Sequence, residues 1–420
     1  MTTARPGGTG VRGRFAQLVP GGPAGRRLGV MVTIDSVGTG AYLAVSAIFC
    51  TRSVGLSVAQ VGLGLSLAAA IGLASTVPVG GLADRYGARR VLVITSLWRA
   101  VGFLAYPFIH DFPAFLVVVC LLGLVDKTAA PLEQALVSQA VDETDRVRTM
   151  AVLRALRNAG FTVGALIGSV ALALDSRPAY GAALVVNAAS FVALATIAAR
   201  LPLREDRVAT RRLSLRVLGD RPYLTLAALN ALLSIHMTFL SVGIPVWVVF
   251  HSHAPRAVVA PLLAVNTVLA VAFQVPASRG SDTPHGAASR LRQAGVALGG
   301  CCVLLAVVPS LGTLPAIAVL VMAMASLTAG EVLQSAGGWG LSYAHARPEQ
   351  QGAYLSLFWL GNAVQQIAAP VLVAAVVSLG SLAWVLLAAV LVAGGLAVPA
   401  ANRWMTAVRG SAPYAERLGL

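Results

Sequence analysis

The sequence is poor in charge. Only 11% of its 420 residues are charged, and 16 acidic residues stand against 31 basic ones. Lysine is nearly absent: Lys127 is the single one beside thirty arginines, a bias that fits a GC-rich bacterial genome better than any mechanism. So few charges, with 57% hydrophobic residues and a mean hydropathy of +0.79, exclude a soluble domain, whose surface would need polar cover. Cysteine is scarce too. Cys50, Cys120, Cys301 and Cys302 lie in or at the ends of apolar runs without metal-ligand spacing and read as small packing residues. No Gly-x-x-x-x-Gly-Lys-Ser/Thr loop occurs, so ATP is not the direct energy source. No segment alternates with period two over about ten residues, which excludes a transmembrane β-barrel.

What is abundant is apolar sequence in runs of about 20, the length that crosses a hydrocarbon core of roughly 30 Å. Runs lie at 28–50, 57–80, 91–109, 113–135, 150–173 and 179–200, then at 223–250, 257–277, 293–310, 314–336, 353–379 and 382–401. The expected fold is an all-α membrane protein of twelve transmembrane helices, rich in Gly and Ala where helices pack closely in lipid. The first run is full length and is followed by many more, so it reads as a span and not as a cleaved signal.

The net charge of +15 raises nucleic acid as a partner, and its distribution excludes it. An even span count puts both termini on one side, and roughly 24 of the arginines fall there. They include Arg12, Arg14, Arg26 and Arg27 in the first tail, Arg85, Arg89 and Arg90 after span two, and Arg204 to Arg221 in the middle loop. Arg279, Arg290, Arg292, Arg403, Arg409 and Arg417 follow, against Arg52, Arg177 and Arg256 on the other side. This asymmetry places both termini in the cytoplasm of a multi-pass protein of a bacterial plasma membrane.

The polar stretch 201–222 divides six spans from six, giving a tail at 1–27, bundles at 28–200 and 223–402, and a tail at 403–420. The halves carry traces of one repeat. Val77-Pro78 and Asp84 recur as Val275-Pro276 and Asp282, and Glu133 as Glu331, all at an offset of 198. In such a duplicated plan the solute site lies between the halves at mid-membrane.

After span two comes Gly80-Gly81-Leu82-Ala83-Asp84-Arg85-Tyr86-Gly87-Ala88-Arg89-Arg90. It fits Gly-x-x-x-Asp-Arg-x-Gly-x-Arg-Arg and, with the six-plus-six plan, resembles the major facilitator superfamily over almost the whole chain. Gly80 and Gly87 let helix ends approach and turn tightly. Asp84 is suited to a helix N-terminus, where the dipole favours an anion. Arg85, Arg89 and Arg90 suit an anionic leaflet or carboxylate partners. The resemblance implies a conformational latch joining the halves on the cytoplasmic side, made here by Gly80, Asp84, Arg85, Gly87, Arg89 and Arg90. In the second-half copy Asp282 remains, but His285 replaces the glycine.

Ionisable residues within spans cost at least about 2.5–3.5 kcal/mol each, so each calls for a reason. Asp35 lies about seven residues into span one, roughly 10 Å deep. Arg99 is near the middle of span three, Asp126 and Lys127 just past the middle of span four, and Arg154 and Arg157 early in span five. The second half holds His236 and Glu331. Glu133 and Glu331 are expected to form gate bridges, Glu133 with the Arg85 to Arg90 cluster and Glu331 with Arg290 or Arg292. Glu331 as a protonation site is the alternative. Asp35 and Asp126, being deeper, are the proton-coupling candidates, with a structural bridge from Asp126 to Arg99 or Lys127 as the other reading. An acidic residue in span one is common in the drug and metabolite exporters that the chain resembles, which favours Asp35; the Gly-Pro pair usual in their fifth span is absent. His236 is a proton site or a hydrogen-bonded helix contact. Asn158, Asn230, Gln274, Gln334, Gln365 and Gln366 are candidate cavity residues, and Trp98, Trp247, Trp339 and Trp359 candidate stacking walls or interfacial anchors. Gly160-x-x-x-Gly164-x-x-x-Gly168 reads as close helix packing.

Together these features point to a secondary transporter acting as a monomer: a proton-coupled antiporter exporting small, partly apolar molecules, with no cofactor and no metal. A nutrient importer or uniporter on the same fold remains open. A membrane-embedded enzyme or sensor is disfavoured, because His110, His251, His253, His285 and His345 scatter over both faces.

Overall fold

The computed structural model describes residues 20–203 and 215–417, and no strand occurs among them. The first half holds α1 (Gly22–Ile48), α2 (Val58–Tyr86), α3 (Ala88–Ala105), α4 (Phe112–Ala140), α5 (Glu143–Leu174) and α6 (Arg177–Ala199). The second holds α7 (Arg221–His251, in pieces), α8 (Val259–Ala277), α9 (Pro284–Val307), α10 (Thr313–His345), α11 (Gln351–Leu379) and α12 (Ser381–Arg417). Eleven helices among the described residues have the length and hydropathy of a membrane span, and the 29-residue α11 is the twelfth.

Local chemistry sets the helix starts. Ser57 and Gln60 form a reciprocal capping box on α2. Asp111, Ser176, Asp220 and Thr283 cap α4, α6, α7 and α9, each with Pro in the first two helical positions. Two helices expected to be continuous are broken. α4 is interrupted between Asp126 and Ala129, because the ring of Pro131 opposes the carbonyl of Lys127, four residues back. α7 breaks at Ser234–Ile235 and widens into a π turn over Phe239–Gly243, which contains Ser241, the residue four before Pro245.

The ends also differ from the hydropathy reading. α1 begins at Gly22 and α12 continues to Arg417, since a helix leaving lipid keeps its backbone bonds while its side chains turn polar. Of the expected tails 1–27 and 403–420 and loop 201–222, residues 1–19, 418–420 and 204–214 lie outside the described residues, and 403–417 continue α12.

α1 packs on α5 and α6, α3 on α6 and α2 on α4; α9 packs on α10 and α12, α8 on α10, and α7 on α11 and α12. The α1–α5 contact is backbone to backbone. A Cβ on Gly164 would lie 2.1 Å from the Val37 carbonyl oxygen, and one on Gly160 2.7 Å from Ser36 Cβ. Side chains such as Val101, Leu166, Val268 and Leu386 point outward and are exposed, as lipid-facing residues are. The halves touch through α2 and α4 with α11, and through α5 with α8 and α10.

Candidate functional site

At the face where α2 ends and α11 begins, the Asp84 carboxylate of the first half caps a helix of the second. It accepts from the backbone N–H groups of Gly352 at 2.6 Å and Ala353 at 2.9 Å. Gly80 permits the approach: a Cβ there would lie 2.6 Å from the Gly352 carbonyl oxygen. Gly87, at φ 88°, makes the turn into α3. Arg85 lies over the Tyr86 ring at 5.2 Å, and Arg89 donates to the Leu201 carbonyl at 3.3 Å.

The repeat-related carboxylate has a different setting. α5 opens with Glu143 and Asp145, whereas the first turn of α11 carries no acid. Burial pushes the Asp282 carboxyl upward, and the charge of Asp145 adds to the effect.

Next to Asp84 lies a contact residue that sequence reasoning missed. Gln134, fully buried on α4, donates to Ser342 Oγ at 2.6 Å and accepts from Trp359 Nε1 at 2.8 Å; its carbonyl accepts from Tyr343 Oη at 2.7 Å. Ser138 adds a bond to Gln351 at 2.8 Å. All these cross-half bonds lie toward the face bearing the first end of α1. Its place directly after Glu133 in an otherwise apolar span was the available signal.

The intramembrane charges pair differently from expectation. Glu133 bonds Arg157 of α5 at 2.5 Å, not the Arg85 to Arg90 cluster. Glu331 bonds Arg154 of α5 at 2.7 Å, across the halves, and not Arg290 or Arg292. The cause is side-chain direction: helical side chains lean toward the N-terminus of their helix. α4 and α10 run toward the termini-bearing face, so their glutamates lean inward, away from the loops. α5 runs the other way, so its arginines lean back to meet them. Arg154 also donates to Ser335, and Asn266 donates to the second oxygen of Glu331 at 3.0 Å. Asp126 faces Arg99 at 3.7 Å and Lys127 at 3.6 Å. Its side chain is 51% exposed.

Asp35 lies thirteen residues past the start of α1, about 20 Å along the helix. It lines a cavity of about 30 Å³ with Thr95, Ser96, Arg99, Glu133 and Arg157, and its Oδ1 is buried without a hydrogen-bond partner. His236 is 1% exposed; its Nδ1 lies 3.0 Å from the Leu233 carbonyl and so carries the hydrogen, leaving a buried Nε2 without a partner. Asn230 and Gln334 join each other at 2.7 Å and connect to Ser234 and Asn362, the last two also missed from the sequence. Gln365 reaches Thr238 at 3.4 Å, Asn158 is partly buried, and Gln274 is buried with both amide atoms unpaired. The Gln366 side chain lies outside the described residues. Trp247 is a core residue bonded to the Leu305 carbonyl, and Trp98 bonds the Leu121 carbonyl. Trp339 is 7% exposed. Among the described residues no cluster of three His, Cys, Asp or Glu is placed to hold a metal.

A family model described as Major Facilitator Superfamily matches residues 28–370. The chain belongs to this superfamily. Among relatives, the multidrug resistance protein MdtH of Shigella boydii is 32% identical over 238 residues, 54% of this chain and 56% of that protein. MdtH of Enterobacter sp. is 28% identical over 322 residues, 74% of this chain and 75% of the relative. The chain thus spans little more than half the length of most of the curated relatives it matches. In fold it is similar to a bacterial homologue of the iron transporter ferroportin in an outward-facing state, with TM-score 0.73 and 13% identity over 91% of this chain and 99% of that one. The human organic anion transporter MFSD10 (TETRAN) gives TM-score 0.66 and 16% identity over 90% and 100%.

Proposed function

We propose that this superfamily member is a proton-coupled exporter of small, partly apolar drug-like or metabolite molecules, working as a monomer by alternating access. Both termini lie in the cytoplasm of a bacterial plasma membrane. The arginine asymmetry supports the orientation, and the multidrug resistance proteins among its relatives support the substrate class. In that orientation the cytoplasmic side is shut, with Asp84 on the end of α11 and Gln134 between the halves as the latch.

The observation that carries the coupling is the unpartnered Asp35 Oδ1, buried in the first half beside Arg99 and Arg157. A carboxylate in that position takes a proton while its oxygen is free and loses it when a cation closes on it. Asp126, open to the pathway, meets the solute.

Everted membrane vesicles under an imposed pH gradient, screened against a set of drug-like cations and neutral compounds, test this. Native chain is expected to accumulate one or more of them only with the gradient. Asp35→Asn is expected to lose gradient-driven transport while retaining exchange of bound solute. Gradient-driven transport unchanged in Asp35→Asn removes Asp35 from the mechanism.

A further inference from the structure

We propose that Arg157 is the residue that drives the proton off Asp35, moving between Glu133, which holds it in the present state, and the free oxygen of Asp35. This rests on the reading of Asp35 as the proton carrier, and adds the group that resets it.

Of the buried, unpartnered side-chain atoms among the described residues of the first half, two belong to residues lining one cavity, and they are complementary. One is the acceptor Asp35 Oδ1, the other the donor Arg157 Nε. Both residues line the same cavity of about 30 Å³, space for about one water between them. The neighbouring donor on the same edge of the Arg157 guanidinium is taken, because Nη2 bonds Glu133 at 2.5 Å. A planar guanidinium offers donors on more than one edge, so it serves one carboxylate and turns to a second without losing its charge.

The backbone holds this arrangement in register. Gly160, one turn beyond Arg157, rests on Ser36 and the Thr33 carbonyl, on either side of Asp35. Sliding of α1 along α5 is blocked by the same contacts, so exchange is left to the side chains. The groups that face Asp35 are few. Arg99 comes from α3, Glu133 and Asp126 from α4, and Arg157 from α5. From α6, Asn187 and Ser190 pack at Gly38, and neither titrates. Arg99 lies over the Phe191 ring at 4.0 Å and also faces Asp126, so it is already engaged. Arg157 is the cation with a donor to spare. When it turns to Asp35, the proton there leaves to water on the open side and the guanidinium keeps all of its own.

Infrared difference titration of the purified full-length protein, reading the C=O stretch of protonated carboxyl groups, tests this without a solute. A titrating band absent from Asp35→Asn identifies the carrier. In Glu133→Gln, with Arg157 released toward Asp35, the proton affinity reported by that band is expected to fall at least tenfold, about one pH unit. In Arg157→Gln it is expected to rise by a similar factor. Should that variant fail to fold, Arg157→Lys, which keeps a charge for Glu133 but lacks the Nε donor, is expected to shift the band the same way. A band lost in Asp35→Asn yet unmoved in both the Glu133 and Arg157 variants overturns the role of Arg157 and leaves Asp35 standing. A band unchanged in Asp35→Asn overturns the carrier itself, and this inference with it.

Discussion

Asp84 and Gly352 belong to different halves, yet the carboxylate of one is held by the backbone N–H of the other at 2.6 Å, with Ala353 completing the pair at 2.9 Å. A helix end is thus satisfied by a residue from outside its own bundle. Separation of the halves on this face must leave the end of α11 uncapped.

Removal of the cap is therefore expected to favour opening. A lost helix cap costs about 0.5–2 kcal/mol, so Asp84→Ala should raise the open population roughly two- to thirtyfold. The readout is the rate at which a maleimide labels a cysteine placed at Ser356, which is 1% exposed against Gly80. Labelling that stays at the native rate contradicts the latch.

Arg154 and Glu331 form a buried pair across the halves, their side chains 18% and 8% exposed. Arg154→Met strands a buried carboxylate and is expected to cost about 3–5 kcal/mol in apparent stability. Arg154→Met with Glu331→Gln should recover most of the loss, because the stranded charge is gone. Thermal unfolding in detergent of the singles and the double, as a double-mutant cycle, measures the coupling.

Gly164→Ala places a methyl carbon where the Val37 carbonyl stands and is expected to lower stability by about 1–3 kcal/mol. Gly62→Ala is the control, since nothing lies within 4 Å of its added carbon, and its unfolding temperature should not fall. Equal effects at the two sites would mean that α1 and α5 do not meet backbone to backbone.

Asp175 lies in the loop between α5 and α6. The Tyr180 hydroxyl donates to it and Arg52 bonds it at 3.0 Å, which holds its carboxyl below the usual carboxylate range. A carboxyl lowered on folding stabilises the fold above its unfolded value, near 3.9, and that contribution is lost as pH falls through the folded value. Asp175→Asn keeps a residue tolerant of the left-handed backbone there, at φ 38°. Its unfolding temperature should sit slightly below native at neutral pH, and the gap should close below about pH 4.

The membrane plan was readable because lipid demands about 20 apolar residues per crossing, and Asp84 was readable because its loop has a pattern and a fixed place. The partners of Glu133 and Glu331 were not. Depth along a helix pointed to the loop arginines, whereas the tilt of side chains toward each helix N-terminus decides which way a glutamate reaches. The break in α4 and the π turn in α7 were signalled by Pro131 and Pro245, each four residues past the carbonyl it disturbs, but hydropathy averages over them. Gln134 escaped notice because an amide carries no charge to stand out, although at 0% exposure it joins three residues of the other half.

Alternating access coupled to a proton on Asp35 is tested most directly by two distances measured together. With the four native cysteines replaced, spin labels at Tyr86 and Glu349 report the termini-bearing face. Labels at Leu174 and Leu379 report the far face, both side chains being exposed there. Double electron–electron resonance across a pH series should show one distance lengthening as the other shortens, with the midpoint abolished in Asp35→Asn. Distances that do not change, that change together, or that keep their pH dependence in Asp35→Asn would contradict it.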